Sequence, residues 1–275
     1  MRTFRVGDVE VGHDFLFILG PCVLQEEAVT DRVAHGIAEV CARVGAKWMF
    51  KASFDKANRT SMAGARGPGL NEGLRALSRL RSRLGVPITT DVHLAEQAAP
   101  VGEVVDLLQV PAFLCRQTDL LLACAATGKP VNVKKGQFMA PGQMRGVVSK
   151  LADATGVLLT ERGVSFGYHD LVVDMRALVQ MRELGVPVCF DATHSVQSPG
   201  GQGDTTGGDR RFAPMLARAA AAVGIDVLFA EVHDDPASSP SDAANMLHLD
   251  SLEATLRDVL SIRAAVAAAS PSTRP

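Results

Sequence analysis

Short apolar runs recur along the chain, each followed by polar residues and then by a stretch with apolar positions at helical spacing. The runs are Phe15–Leu19, Trp48–Phe50, Ile88–Thr90, Leu107–Val110, Val131–Val133, Val157–Leu159, Val188–Phe190 and Val227–Ala230. Several follow the same punctuation, a helix end and then Gly85-Val86-Pro87, Gly128-Lys129-Pro130 or Gly185-Val186-Pro187. Leu70, Leu74, Leu77 and Leu84 share one face of a helix predicted over Leu70–Leu84. A short helix is predicted over Leu94–Ala99. A last one starts at Asp250, where Asp250 and Glu253 make a capping-box pattern ahead of Leu252, Leu256, Val259 and Leu260. Residues 2–12 alternate around Gly7-Asp8, which predicts a hairpin ahead of the main fold. Eight strand-then-helix units predict an α/β fold, a single (β/α)8 TIM barrel over residues 1–275 with an N-terminal β-hairpin (2–12) and a loose tail (270–275). A doubly wound open sheet is the other arrangement such a rhythm allows, but no Gly-rich dinucleotide turn follows the first run.

Composition narrows the class without changing it. At 275 residues, 47% hydrophobic and 21% charged, the chain reads as an ordinary globular enzyme. A net charge of −2 gives no reason to expect nucleic acid or an anionic membrane as partner. Arg75, Arg79, Arg81 and Arg83 fall away from the leucine face of their helix and read as a solvated surface. The early run Phe15–Leu19 is far too short for a membrane span or a signal core, so a cytoplasmic protein is expected. Five cysteines without a CxxC pair do not describe a disulfide framework.

The chemistry gathers where the runs end, which in a barrel is the catalytic face. In order come Cys22, then Lys51 with Ser53, Asp91 with His93, and Gln109. Lys134 with Lys135, Glu161 with Arg162, Asp191 with His194, and Glu231 with His233 follow. The segment 51–61, KASFDKANRTS, is the densest. It has no glycine, so it is a side-chain cradle and no backbone nest; Lys and Arg would meet anionic oxygens, Asn, Ser and Thr hydroxyls. Lysine is scarce in the chain, yet Lys51, Lys56, Lys134 and Lys135 sit at two strand ends. With Arg162 these cations call for an anionic ligand, and a phosphorylated carboxylate would supply it. Cys22, His194, Glu231 and Asp242 come from elements that a closed barrel makes neighbours. A thiolate, an imidazole and two carboxylates suit a divalent transition metal. Lone His and Cys residues are usually structural, so spacing alone leaves the ligating and the packing readings both open. His93 and His233 are further candidate ligands on the same terms.

Several stretches together resemble one family, the 3-deoxy-D-manno-octulosonate 8-phosphate synthases. They are KASFDKANRTS, RGPGL (66–70), ITTDVH (88–93), QVPAFLCRQTDLL (109–121), NVKKGQF (132–138), ERGVSFGY (161–168), LVVDMR (171–176), FDATHSVQ (190–197) and FAEVH (229–233). The likeness runs in order from about residue 5 to residue 265. The related heptulosonate 7-phosphate synthases carry Lys-Pro-Arg where this chain has Lys56-Ala57-Asn58-Arg59. The resemblance implies condensation of phosphoenolpyruvate with D-arabinose 5-phosphate and water, with release of inorganic phosphate, in lipopolysaccharide precursor synthesis. It implies Lys51, Ser53, Lys56, Gln109, Lys134 and Arg162 for phosphoenolpyruvate. For the sugar phosphate it implies Asn58, Arg59 and Thr60, with Arg116 from a neighbouring subunit of a homotetramer. Metal-independent members carry Asn where this chain has Cys22, so the resemblance points to one divalent ion (Fe, Zn or Mn) on Cys22, His194, Glu231 and Asp242. Catalytic roles are expected of Lys56, Asp91, Cys22, His194 and Glu231. One departure is His169, which stands where the family has Asn. Three rivals are a heptulosonate 7-phosphate synthase, a Schiff-base aldolase using Lys51 or Lys134, and a non-catalytic sugar-phosphate-binding barrel.

Overall fold

The computed structural model describes residues 1–58, 64–201 and 206–269. Eight parallel strands form the barrel: β1 (Leu16–Gly20), β2 (Trp48–Lys51), β3 (Ile88–Asp91), β4 (Leu107–Val110), β5 (Val131–Lys134), β6 (Val157–Glu161), β7 (Val188–Asp191) and β8 (Val227–His233). Each pairs with its sequence neighbour. The ring closes where β8 pairs with β1 (Val227↔Leu16 to Glu231↔Gly20). The helices between and after them are α1 (Glu27–Val44), α2 (Leu70–Leu84), α3 (Ala95–Gly102), α4 (Thr118–Ala125), α5 (Arg145–Lys150), α6 (Arg176–Arg182), α7 (Ala213–Val223) and α8 (Leu249–Ala269). None of the described helices is long and apolar enough to cross a membrane. All five cysteines are free and buried. The expected arginine face on α2 is solvated, with Arg75 paired to Glu72 and Arg81 to Asp106 at exposed positions; such pairs add little to stability.

Most strands run a residue or more past the apolar runs that predict them. Lys51, Asp91, Lys134, Glu161, Asp191 and Glu231 still belong to strands, although they are polar. The reason is the barrel's parity. Alternate residues of a strand point outward into the helix layer or inward to the axis. Outward-pointing Phe17, Leu19, Phe50, Leu108, Val131, Val133, Leu159, Phe190 and Leu228 join the large core under the helices. The inward set changes character along the axis. Leu16, Ile18, Met49, Leu107, Leu158, Cys189, Val227 and Phe229 form a second, separate apolar cluster low in the barrel. Two residues further along most of these strands, the inward position is Lys51, Gln109, Thr160, Asp191 or Glu231.

The N-terminal hairpin closes the apolar end. Its strands, Phe4–Val6 and Val9–Val11, pair antiparallel about Gly7-Asp8. Phe4, Val6, Val9 and Val11 pack into the inner cluster as a plug. At the other end β1 approaches β2 so closely that a Cβ on Gly20 would lie 1.9 Å from the Lys51 carbonyl oxygen. Only glycine fits there. This contact brings the Cys22 loop onto the Ser53 loop, where Ser53 N–H donates to the Cys22 carbonyl (3.3 Å) and Leu24 N–H to that of Ser53 (2.9 Å).

Candidate active site

A cavity of about 260 Å³ opens at the C-terminal mouth, with Lys51, Lys56, Lys134 and Arg162 among its lining residues. Lys51 projects from the end of β2 and is 1% exposed. Its ammonium donates to the Cys22 carbonyl (3.1 Å) and to Ser53 Oγ (2.9 Å), and lies 3.4 Å from both Asp91 and Glu231. Lys134, on β5, crosses the barrel to Asp191 Oδ2 at 2.6 Å and sits 3.6 Å above the Phe229 ring. Arg162 donates from Nη2 to Gln197, while its Nη1 is buried with no hydrogen-bond partner. Among the described residues, Lys56 has no ion pair or side-chain hydrogen bond. Burial pushes its ammonium down, but Cys22, Glu231, Asp91 and Asp242 hold it above its ordinary value.

A belt of buried amides and hydroxyls links these groups around the inner wall. Thr160 donates to Asn132 Oδ1 (2.7 Å), Asn132 to Gln109 Oε1 (3.0 Å), and Gln109 to Asp91 Oδ1 (2.6 Å). Ser53 donates to the other Asp91 oxygen. Adjacent-strand register makes the belt possible, since Asp91 lies beside Gln109 and Gln109 beside Asn132. Burial pushes Asp91 up, but Lys51, Lys56, His93 and Lys134 hold it well below the usual carboxylate range. Gln109 is fully buried and spends its amide on Asp91 and Asn132, so it acts on the cavity through Asp91.

A second group converges on the cavity from β8, the loop after β1 and the loop after β8, and Asp242 and His194 also line the cavity. Ligand atoms of Cys22, Glu231 and Asp242 lie within 4.8 Å of one another. Cys22 donates to Asp242 Oδ2 at 3.0 Å. Burial, then Asp242 and Glu231, push the thiol well above its ordinary value. Glu231 Oε2 is buried with no partner. Asp242 stands at φ +53, a conformation rare for a non-glycine residue. His194, the fourth expected member, places Nε2 3.6 Å from Glu231 Oε1 and Nδ1 2.8 Å from Asp191 Oδ2. Burial pushes Asp191 up, but His194 and Lys134 hold its carboxyl below the usual range.

The remaining expected residues fall as follows. Asn58 lines the cavity, while Arg59 and Thr60 lie outside the described residues. Arg116 is exposed and does not line the cavity of its own chain. His93 lines the cavity, its Nδ1 buried without a partner. His233 is consumed by Gln25 Nε2 (2.8 Å) and the Asp235 N–H (3.0 Å). Lys135 turns away from the cavity to Glu161 (3.4 Å) and the Met139 carbonyl (3.2 Å). His169 stands at φ +62, where Asn is at ease, and its Nδ1 meets the Pro199 carbonyl at 2.6 Å. The sequence reading missed Asn132, Thr160 and Gln197. The signal for Asn132 was there, a polar residue two before Lys134 in a buried strand and so on the same inward face.

Residues 5–266 match the DAHP synthetase I family. Three relatives carry the name 2-dehydro-3-deoxyphosphooctonate aldolase. One from a Synechococcus species is 59% identical over 96% of this chain and 93% of its own length. One from a Cyanothece species is 56% identical over 95% and 96%, and one from Granulibacter bethesdensis is 55% identical over 93% and 92%. With more than half of its residues shared across nearly the whole length of such relatives, the chain belongs to the DAHP synthetase I family, in the branch of the 2-dehydro-3-deoxyphosphooctonate aldolases.

Proposed function

We propose that this barrel condenses phosphoenolpyruvate with D-arabinose 5-phosphate and water, giving 3-deoxy-D-manno-octulosonate 8-phosphate and inorganic phosphate. The observation that carries the reading is the convergence of Lys51, Lys56, Lys134 and Arg162 on one cavity that Asp242 of the Cys22–Glu231–Asp242 group also lines. The first substrate brings a phosphate and a carboxylate to four cations, and the partnerless Arg162 Nη1 is a donor waiting for such an oxygen. Carbon 3 of the enol phosphate attacks the aldehyde of the sugar while water adds at carbon 2. The C–O bond to phosphate then breaks, and phosphate leaves with that oxygen. Lys134 and Arg162 hold the carboxylate and phosphate and offset the negative charge on the departing phosphate. Lys56, held protonated by the surrounding carboxylates and, among the described residues, without a side-chain hydrogen bond, is placed to give a proton to the new alkoxide; Asp91 is the nearby acceptor. Asn58, Arg59 and Thr60 take the sugar phosphate, with Arg116 of a neighbouring subunit in a homotetramer. We place the enzyme in the cytoplasm.

The donor set fits a divalent cation. A thiol faced by two carboxylates and an orphaned Glu231 Oε2 is an arrangement that positive charge would relieve. Cys22, Glu231 and Asp242 would hold Fe, Zn or Mn, with His194 Nε2 as the fourth donor. Bound there, the ion would polarise the aldehyde or lower the pKa of a water.

The test is phosphate release from both substrates, with erythrose 4-phosphate as the competing acceptor, before and after chelation. Arabinose 5-phosphate is the expected acceptor; preference for erythrose 4-phosphate would move the chain to heptulosonate synthesis, which the family description also covers. Chelation should abolish turnover and Mn(II) restore it, whereas Cys22→Asn should keep a low chelator-resistant rate. Full turnover of the chelated wild type would end the metal reading.

A further inference from the structure

The mouth has an anion half, centred on Arg162, and a half centred on Asp242; one side chain touches both. Gln197 accepts from Arg162 Nη2 through Oε1 and donates from Nε2 to Asp242 Oδ1 at 2.6 Å. A guanidinium offers only donors and a carboxylate only acceptors, so this amide orientation alone satisfies both neighbours. We propose that Gln197 is a positioning residue that couples occupancy of the anion site to the strength of Asp242 as a metal ligand. This rests on the roles given above to Arg162 and Asp242.

Three features make the contact a built one. Gln197 begins a two-residue antiparallel ladder with Gly208, which stands at φ +149. A Cβ on Gly208 would lie 1.8 Å from Asn245 Oδ1 and 2.4 Å from the Val196 carbonyl oxygen, so the backbone carrying Gln197 is tightly seated. Asp242 pays for its place with a left-handed backbone, and its other oxygen accepts from Cys22 and Ser241 (2.8 Å). Arg162 keeps Nη1 buried and partnerless on the side away from Gln197's share of the guanidinium. An anion can therefore be taken up without breaking the Gln197 contact.

The direction of the coupling follows from polarisation along the chain of hydrogen bonds. A bare Arg162 cation draws electron density from the Gln197 amide, sharpening its N–H as a donor and drawing density from Asp242 Oδ1. An anion on Arg162 offsets that pull, and Asp242 becomes the better ligand. Phosphoenolpyruvate should then tighten the metal, and by reciprocity the metal should tighten phosphoenolpyruvate by the same factor. Attraction through space between anion and cation acts in the same sense, so the relay must be removed without removing either charge.

The experiment titrates Co(II) into metal-free full-length protein, following thiolate-to-cobalt absorption from Cys22, with and without phosphoenolpyruvate. The proteins are wild type, Gln197→Met and Gln197→Leu, neither of which can accept from Arg162 or donate to Asp242, and neither of which adds a charge. In the wild type, phosphoenolpyruvate should tighten Co(II) about fivefold or more. In both variants each ligand should still bind alone, and the coupling factor should fall toward the through-space remainder. If one variant does not fold, the other decides. A wild-type coupling factor in either variant, or no coupling in a wild type that binds Co(II), would overturn the proposal and leave the metal reading standing. A wild type without any cobalt–thiolate band would overturn both.

Discussion

The lower and upper halves of the barrel interior are built from the same strands, two residues apart, and follow opposite rules. Low down, Met49, Leu107, Leu158, Cys189 and Phe229 pack with the N-terminal hairpin into a dry cluster. One inward step higher stand Lys51, Gln109, Thr160, Asp191 and Glu231, all buried and each bonded to another polar side chain at the mouth. Burial costs an apolar side chain nothing and a polar one a great deal unless it is paired. The plug therefore needs only shape, whereas the mouth needs a partner for every atom. Among the atoms left without a partner, Glu231 Oε2 and Arg162 Nη1 mark where a ligand would complete the site.

The comparison breaks hardest at Arg162. Arg162→Met removes a buried cation aimed at the reacting phosphate, and kcat/KM for phosphoenolpyruvate should fall about a thousandfold. Its urea midpoint should fall modestly, because Asp191, Asp242, Glu161 and Glu231 lose a buried counter-charge and Gln197 Oε1 its donor. Phosphate-release kinetics and an unfolding curve on one preparation check both halves. A large loss of stability with little loss of rate would make Arg162 a structural residue.

Phe4→Ala strikes the other half. Phe4 is 6% exposed, packed in the inner cluster, and its ring fills the space beside Gly156. The cavity left should cost about 3–5 kcal/mol of stability, while kcat/KM below the unfolding temperature stays within error. A catalytic defect in the folded variant would mean that the two halves are coupled.

Asn132→Leu tests the boundary, because it puts an apolar residue one step too high. Gln109 Oε1 would lose its donor and Thr160 its acceptor, costing about 1–3 kcal/mol. Turnover should fall as well, since Gln109 then no longer fixes the Asp91 carboxylate. Unchanged turnover would confine the belt to a structural role.

The same two-residue step explains what the sequence made legible. Every barrel strand was found within a few residues, because an outward apolar face alternates with an inward one whatever its polarity. The strand ends were also readable, since Lys51, Asp91, Lys134 and Glu231 each follow a run too hydrophobic for a surface. Asn132 was passed over because it lies inside its run. Gln197 closes the segment FDATHSVQ, but its two partners come from loops 35 and 45 residues away. No local pattern states such a contact. The hairpin was legible as a hairpin, but nothing in residues 2–12 says that the barrel floor receives it.

The smallest effect belongs to the plug end, at Asp14. Its carboxylate accepts from the Glu10 N–H (3.1 Å) and pairs with Lys47 (3.0 Å), and these hold its pKa at about 2. A carboxyl group whose pKa is lower in the folded state stabilises the fold above its unfolded value, about 3.9. That contribution fades as pH falls toward about 2. The difference in urea midpoint between wild type and Asp14→Asn should thus be full at neutral pH and narrow steadily below about pH 4. At the mouth, Asp91 and Asp191 are held down by buried cations, so their contribution should outlast that of Asp14 as acid is added. A midpoint difference that stays constant from neutral pH down to about pH 3 would show that Asp14 acts through its shape and hydrogen bonds, with its charge contributing nothing.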